Sequence, residues 1–403
     1  MTETAHAFPM ERATGCPFDP PADYAKLRDN EPVAQAACPA GIDAWVVTRY
    51  EDVRTLLRDP RLSSWQAPSA HASPNANFER VVGPGNILQL DGEKHARLRR
   101  ALMGEFTVRR IEQLRPYIAK IVDEHIDAML AEGTTADLYQ QFALPIPSLV
   151  ICEMLGVPYD DRDKFHVWSA QLMSVDADPV DQQAAVQGIN GYIGGLVRAK
   201  MDKPTDDLLG RLIERGQDDG SALDVPVLVE LGLSLLIAGH ETTANQIALS
   251  TLALLRNPDQ LAKLRANPDM APSAVEEMLR YLSIVQFGLL RQATDSIEIG
   301  GRRINAGEWI IGAITAGNRD DRFFANPDDI DLERATNRHL AFGFGIHQCI
   351  GQQLARVELQ EVYTRLYARI PSLRLAADMD ELTYKNTTLV YGVQKLPVAW
   401  DAQ

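Results

Sequence analysis

Phe342-Gly343-Phe344-Gly345-Ile346-His347-Gln348-Cys349-Ile350-Gly351 is the stretch from which the rest of the chain is read. Three glycines bracket one cysteine, and a helical pattern running from Ile350 to Arg369 starts at once. Glycine permits positive φ and lets another group approach the backbone closely. A thiol at the mouth of a helix feels the helix dipole and unsatisfied amides, which favour the thiolate. The local design therefore suits a sulfur anion facing something bulky and flat. A lone cysteine is more often a small core residue. The glycine spacing and the helix reverse that reading for Cys349.

Upstream, residues 225–256 predict one long helix, with Asp224 as a candidate cap, Pro226 in the first turn and Asn257-Pro258 as its stop. It is apolar on most sides, the pattern of a helix buried through the body of a protein. Helical periodicity also marks 50–59, 94–105, 108–131, 145–155, 160–174, 180–201, 204–216, 258–266 and 271–282. Residues 66–85, rich in Ser, Ala, Pro, Asn and Gly, read as a long loop, a length usually kept for function. Ile297–Ile304 reads as a hairpin, Glu308–Ala313 as a strand, 317–341 as irregular, and 372–375 and 383–399 as short strands. The fold class is mainly α with small β-sheets. With no linker or repeat, residues 1–403 are expected to form one domain, and prolines 9, 17, 20 and 21 make 1–20 an extended N-terminal arm.

The chain has 403 residues, is 45% hydrophobic and carries a net charge of −15. That balance argues against non-specific binding to nucleic acid or to an anionic membrane. Four cysteines with no paired spacing imply no disulfide framework, and no basic, apolar leader opens the sequence, so a cytoplasmic protein is expected. The closest approach to a membrane span is the long helix, interrupted at its centre by Gly239-His240-Glu241-Thr242-Thr243-Ala244-Asn245-Gln246.

The cysteine segment resembles the haem-ligand signature of the cytochrome P-450 family, F-G-x-G-x-H-x-C-x-G. The resemblance implies a P-450 fold, with haem b (iron protoporphyrin IX) between a long central helix and the Cys-bearing loop and helix. Cys349 would be the axial iron ligand, Phe342 would lie against the haem near the sulfur, and His347 would reach a propionate. Thiolate donation favours O–O cleavage. Ala238-Gly239-His240-Glu241-Thr242-Thr243 resembles the family's oxygen-activation motif. Ala238 and Thr242, at i and i+4, share one helix face. The resemblance gives Ala238 the role of leaving room for O2, and Thr242 and Glu241 that of delivering protons. The competing reading is that Thr242 merely bonds back to the preceding turn. A zinc HExxH reading fails because residue 244 is alanine.

Glu277 and Arg280 sit at i, i+3 and can meet. They match the family's structural E-x-x-R pair, which Arg334 would join. His95 and Arg99, at i, i+4, with Arg291 and His347, would hold the propionates, for which a guanidinium fork is well shaped. By the same analogy the substrate walls are Leu88, Ser234, Ile237, Ala238, Phe287, Gly288 and Leu389, mainly apolar as pockets usually are. The resemblance runs from about Phe18 to the C-terminal strands and is nearest to actinobacterial members. Leu289-Leu290 before Arg291 is more apolar than many relatives, which leaves substrate choice open.

The implied activity is a monooxygenase that hydroxylates a hydrophobic small molecule, such as a polyketide or macrolide-type secondary metabolite or a xenobiotic. The alternative is the same oxidant used for ring closure or C–O bond formation. No G-x-G-x-x-G opens a helix after a strand, so a ferredoxin and ferredoxin reductase are expected to bring electrons from NAD(P)H. Arg97, Arg99, Arg100, Arg109 and Arg110 form the candidate docking patch. Two rivals belong to other classes: a haem protein that binds ligand without catalysis, and a Cys–His hydrolase using Cys349.

Overall fold

The computed structural model describes all residues except 1–5, 9, 13–14, 39–40, 65–83, 162–163, 165–166, 169–170, 172–177, 220–221, 336, 387 and 403. Most of the long loop expected at 66–85 and part of the helix expected at 160–174 therefore lie outside the described residues. By its internal contacts the chain divides into two compact units, each assembled from separated segments. The first comprises 1–81, 249–352 and 384–393; the second comprises 82–248, 353–383 and 394–403.

The first unit is organised by a six-stranded sheet. Its strands are β1 (His6–Ala7), β2 (Val33–Cys38), β3 (Ile42–Val47), β4 (Leu62–Ser63), β6 (Leu289–Ala293) and β9 (Trp309–Gly312), in the order β1-β2-β3-β9-β6-β4. Strands β2 and β3 pair antiparallel through a turn at Gly41, whose φ is +73°. Strand β9 runs parallel to β3 and antiparallel to β6, setting Arg291 opposite Ile310. The N-terminal arm is fastened down: β1 pairs parallel with β2, and Phe8, Met10 and Phe18 are buried. A two-residue strand among alanines and prolines carries no period-2 signal, so the sequence showed only its extension. The expected helix at 50–59 is Tyr50–Arg58. Its Tyr50, Val53, Leu56 and Leu57 pack with Ile297, Ile299, Ile304 and Ile310 into one apolar cluster. The expected hairpin forms as β7 (Ile297–Ile299) and β8 (Arg302–Ile304).

At the centre of this unit the helix Ala271–Leu282 carries Glu277 and Arg280, both side chains fully buried. Arg280 donates to both Glu277 oxygens at 2.8 Å and to the carbonyls of Asn318 and Pro327 at 2.9 and 2.7 Å. Arg334 joins at 3.0 Å from Glu277 Oε2 and also donates to the carbonyls of Ala325, Asn326 and Asp329. The irregular segment before the cysteine is thus folded around one ion cluster rather than around secondary structure. A buried charge that loses its partner costs far more than the pair contributes.

The second unit is mostly helical. The long helix spans Val225–Arg256, 32 residues or about 48 Å, the bounds its cap and stop residues predict, and its residues from Leu249 on are grouped with the first unit. It is long and apolar enough to cross a membrane, yet Leu228, Leu231, Leu235, Leu236 and Ile247 are buried in the protein. The helices Gly92–Met103, Val108–Glu132, Pro145–Leu155, Pro179–Asp202 and Leu208–Asp219 precede it in sequence. A small sheet of β10 (Arg374–Leu375), β11 (Pro397–Ala399) and β5 (Thr135–Asp137) closes the unit. Buried Glu105 gathers Arg211 at 2.8 Å, Arg215 at 3.1 Å and Arg110 at 3.3 Å. The helix Gln352–Arg369 buries Glu358, whose Oε2 has no hydrogen-bond partner. Burial alone pushes that carboxyl from an ordinary 4.5 up to about 8.

Two outcomes follow from these buried groups. Glu277→Ala strands Arg280 and Arg334 and is expected to cost about 3–5 kcal/mol of stability, read by denaturant unfolding; an unchanged midpoint contradicts this. Glu358 binds its proton more tightly folded than unfolded, so its contribution is complete below pH ~4.5 and is lost as pH rises toward 8. Glu358→Gln is expected to remove a fall of up to about 1.4 kcal/mol per pH unit across that window. The same slope in both proteins would rule out this assignment.

Candidate active site

In the first unit, the cysteine segment is a backbone device. Gly343 and Gly345 have φ of +68° and +77°, where a side chain is strained. A β-carbon on Gly345 would stand 2.3 Å from the Leu57 carbonyl oxygen, and one on Gly343 would touch Leu289 at 3.4 Å. A single 3₁₀ turn, Gly345–His347, then redirects the chain. The Cys349 amide donates to the Phe342 carbonyl at 2.9 Å and the Gln348 amide to that of Gly345 at 3.1 Å. Below the loop, Phe344 packs on the apolar cluster with the Arg54 guanidinium 4.8 Å over its ring. Leu340 is tied to Asn318 at 2.7 Å, which links the loop to the Arg280 cluster. The result is that Cys349 is exposed while the backbone around it is pinned, with the helix Gln352–Arg369 beginning three residues on. A β-carbon on Gly351 would lie 4.0 Å from its sulfur.

Arg291 lies on β6, half-buried, with Nη1 donating to the Leu290 carbonyl at 2.8 Å. His347 is also half-buried. Gly288 has φ +70°, and a β-carbon there would meet the Gly312 carbonyl at 2.5 Å, so the residue is required for strand approach. Phe287, expected to wall a pocket, also packs in the core. Its ring is buried in the cluster with Tyr24, Leu27 and Val46, edge-on to Phe8 at 6.4 Å. Beside it, Gln286 donates its side-chain amide to the carbonyls of Lys385, Asn386 and Thr388 and its backbone amide to Leu389 at 3.2 Å. That clamp fixes the turn bearing exposed Leu389.

In the second unit, His95 is buried and Arg99 half-buried, one turn apart on the helix Gly92–Met103. Leu88 is exposed, and the segment before it is seated on the long helix. Gly85 donates to Glu230 at 2.9 Å, and its missing β-carbon would collide with the Val227 carbonyl at 2.3 Å. Along that helix Ala238 is exposed, and Ser234, Ile237 and Thr242 are half-buried. Thr242 donates its hydroxyl to the Ala238 carbonyl at 2.6 Å, the back-bond weighed from sequence. The bond does not remove the hydroxyl from chemistry: its oxygen still has lone pairs to accept with. Glu241 is buried, and Asn245 donates to its Oε1 at 2.9 Å and to its backbone carbonyl at 2.8 Å. Tyr139, also buried, donates to the same Oε1 at 3.4 Å. Burial raises the Tyr139 phenol well above its usual range, and the Glu241 charge adds to the rise.

Tyr139, Asn245 and Gln286 were not singled out from sequence. Asn245 was legible as the i+4 neighbour of Glu241. Tyr139, 102 residues away, carries no local signal. The docking patch also reads differently: Arg110 is engaged by Glu105 and Asp206, Arg100 by Glu93, and Arg97 by the Ala222 carbonyl. Arg109 is exposed and makes no ion pair among the described residues.

The residues present fit a haem held by sulfur. The loop offers an exposed thiol flanked by glycines that carry no side chain, which leaves room for a flat macrocycle. Within the first unit Arg291 and His347, and within the second His95 and Arg99, are side chains of the type that binds carboxylates.

Comparison with known proteins agrees. Residues 183–369 match the family model described as Cytochrome P450. Cytochrome P450-SU2 of Streptomyces griseolus is 45% identical over 393 residues, covering 97% of this chain and 96% of that protein. The 20-oxo-5-O-mycaminosyltylactone 23-monooxygenase of Streptomyces fradiae is 39% identical, covering 98% and 92%. The crystal structure of CYP105P1 in complex with filipin I superposes with a TM-score of 0.93 at 43% identity, covering 99% and 100%. Such identity over nearly the full length places the chain beyond a shared fold. This chain belongs to the cytochrome P450 family: it is a haem monooxygenase that takes electrons from a redox partner and oxidises a small molecule with O2.

Proposed function

We propose that the chain binds haem b through the Cys349 thiolate and hydroxylates a largely apolar molecule of the macrolide or polyketide type in the cytoplasm. A ferredoxin supplies the electrons. The observation that carries the reading is the glycine-pinned loop that keeps Cys349 exposed at the mouth of a helix. Haem, when bound, supplies O2 activation and insertion of one oxygen atom into a C–H bond.

The chain's own residues have separable tasks in this reading. His95, Arg99, Arg291 and His347 bind the propionates. Ala238 leaves the helix face bare, and Thr242, held on the Ala238 carbonyl, presents a hydroxyl that can accept and pass a proton on that face. Glu241 stores the proton in a buried carboxyl kept in place by Asn245. Leu88, Ser234, Ile237, Ala238 and Leu389 favour an apolar ligand; Phe287 and Gly288 contribute backbone position. The macrolide class is supported by the names of the Streptomyces fradiae relative and the filipin I complex. Arg109 is the charge most available to an acidic partner.

A substrate found by its shift of the iron spin state is expected to leave as a product carrying one labelled atom from ¹⁸O2; label only from water contradicts the reading. Thr242→Ala is expected to lower product per electron pair at least about tenfold, positioned proton transfer being worth roughly 10²- to 10⁴-fold. Undiminished coupling would remove Thr242 from proton delivery. Arg109→Glu is expected to slow reduction by ferredoxin, with the difference shrinking as salt rises. Equal rates at low salt would place docking elsewhere.

A further inference from the structure

Two features single out Tyr139. It opens a one-turn π-helix, Tyr139–Ala143, a rare geometry often found at functional sites. It is also a buried phenol whose hydroxyl reaches the carboxylate of Glu241 in the motif segment of the long helix. The π-turn is itself anchored. Asp137 Oδ1 accepts from the backbone amides of Tyr139 at 3.1 Å and Leu396 at 2.9 Å, and the Leu138 amide donates to the Leu396 carbonyl at 2.9 Å. The Tyr139 ring is therefore held by strand β5 and the residues before β11, not by its own flexibility.

At Glu241 the two donors converge on one oxygen. Asn245 Nδ2 and Tyr139 Oη both donate to Oε1. Asn245 alone would tether the carboxylate to its own helix. The phenol adds a tether from a different element, which fixes the direction in which the carboxylate points. Donors to a carboxylate favour its charged form, and burial opposes that. A phenol whose own ionisation is suppressed remains a donor throughout the working pH range.

We infer that Tyr139 is a positioning residue for proton delivery: through its hydrogen bond it holds Glu241 in the orientation from which a proton is passed toward Thr242. The inference rests on the assignment of Glu241 as the proton carrier. It adds a residue outside the motif on which that carrier depends. No bond other than O–H is made or broken. The proton leaves the Glu241 carboxyl, the carboxylate left behind is stabilised by Tyr139 and Asn245, and solvent restores the proton.

The test compares Tyr139→Phe, Glu241→Gln and the double variant as holoenzymes. Tyr139→Phe is expected to leave the spin-state shift by substrate unchanged and to lower product per electron pair about three- to tenfold, the scale of one ordinary hydrogen bond. In the Glu241→Gln background the same change is expected to have no further effect. Independently of turnover, the infrared carboxyl band that Glu241→Gln abolishes is expected to shift in Tyr139→Phe, because the group loses a donor. An unshifted band, or an equal coupling loss with and without Glu241, overturns the inference. If Glu241→Gln itself leaves coupling intact while the band still shifts, the carrier assignment fails and the inference fails with it, although the contact is real.

Discussion

The Leu57 carbonyl occupies the space where a β-carbon on residue 345 would stand, 2.3 Å away, and the presentation of Cys349 depends on that exclusion. With no side chain at 345 and positive φ at 343 and 345, the loop can lie flat on the end of the helix Tyr50–Arg58. The sulfur is then carried outward by backbone geometry, with the Phe342 carbonyl accepting from the Cys349 amide. A sulfur so placed owes its position to steric exclusion in the backbone that carries it.

Polar clusters support that geometry where secondary structure is absent. Asn318 accepts from Leu340 just before the loop, and its own carbonyl accepts from buried Arg280. Glu277 joins Arg280 to Arg334, whose remaining donors take up the carbonyls of the irregular segment. Those carbonyls have no ladder or helix to bond with, so a guanidinium with five donors is an efficient way to satisfy them. Glu105 performs a comparable task in the second unit, tying three arginines to the end of the helix that carries His95 and Arg99. One consequence is that arginines which look in sequence like a free basic patch are partly consumed by the fold.

What was legible in the sequence follows the range of the interaction. Cap and proline signals bounded the long helix at 225–256, and helices expected near 258–266 and 271–282 are found there, because these signals are local. The glycine and cysteine spacing gave the loop and the exposed cysteine on it, and the i, i+3 pair gave the Arg280 cluster. The N-terminal strands were missed because β1 has two residues and β2 reads as alanine-rich sequence. The packing of the Phe287 ring on Phe8 was not legible, because it is a contact between residues remote in the chain. Tyr139 was silent for the same reason: its partner is set by tertiary packing, which no window of sequence contains.

The central claim is that Cys349, as thiolate, is the residue that holds the iron. Carbon monoxide added to the dithionite-reduced holoprotein tests it most directly. The account predicts a strongly red-shifted Soret band for the parent chain and, in Cys349→His, retention of haem with loss of that shift. An unshifted band in the parent chain, or a shift that survives the substitution, would contradict it.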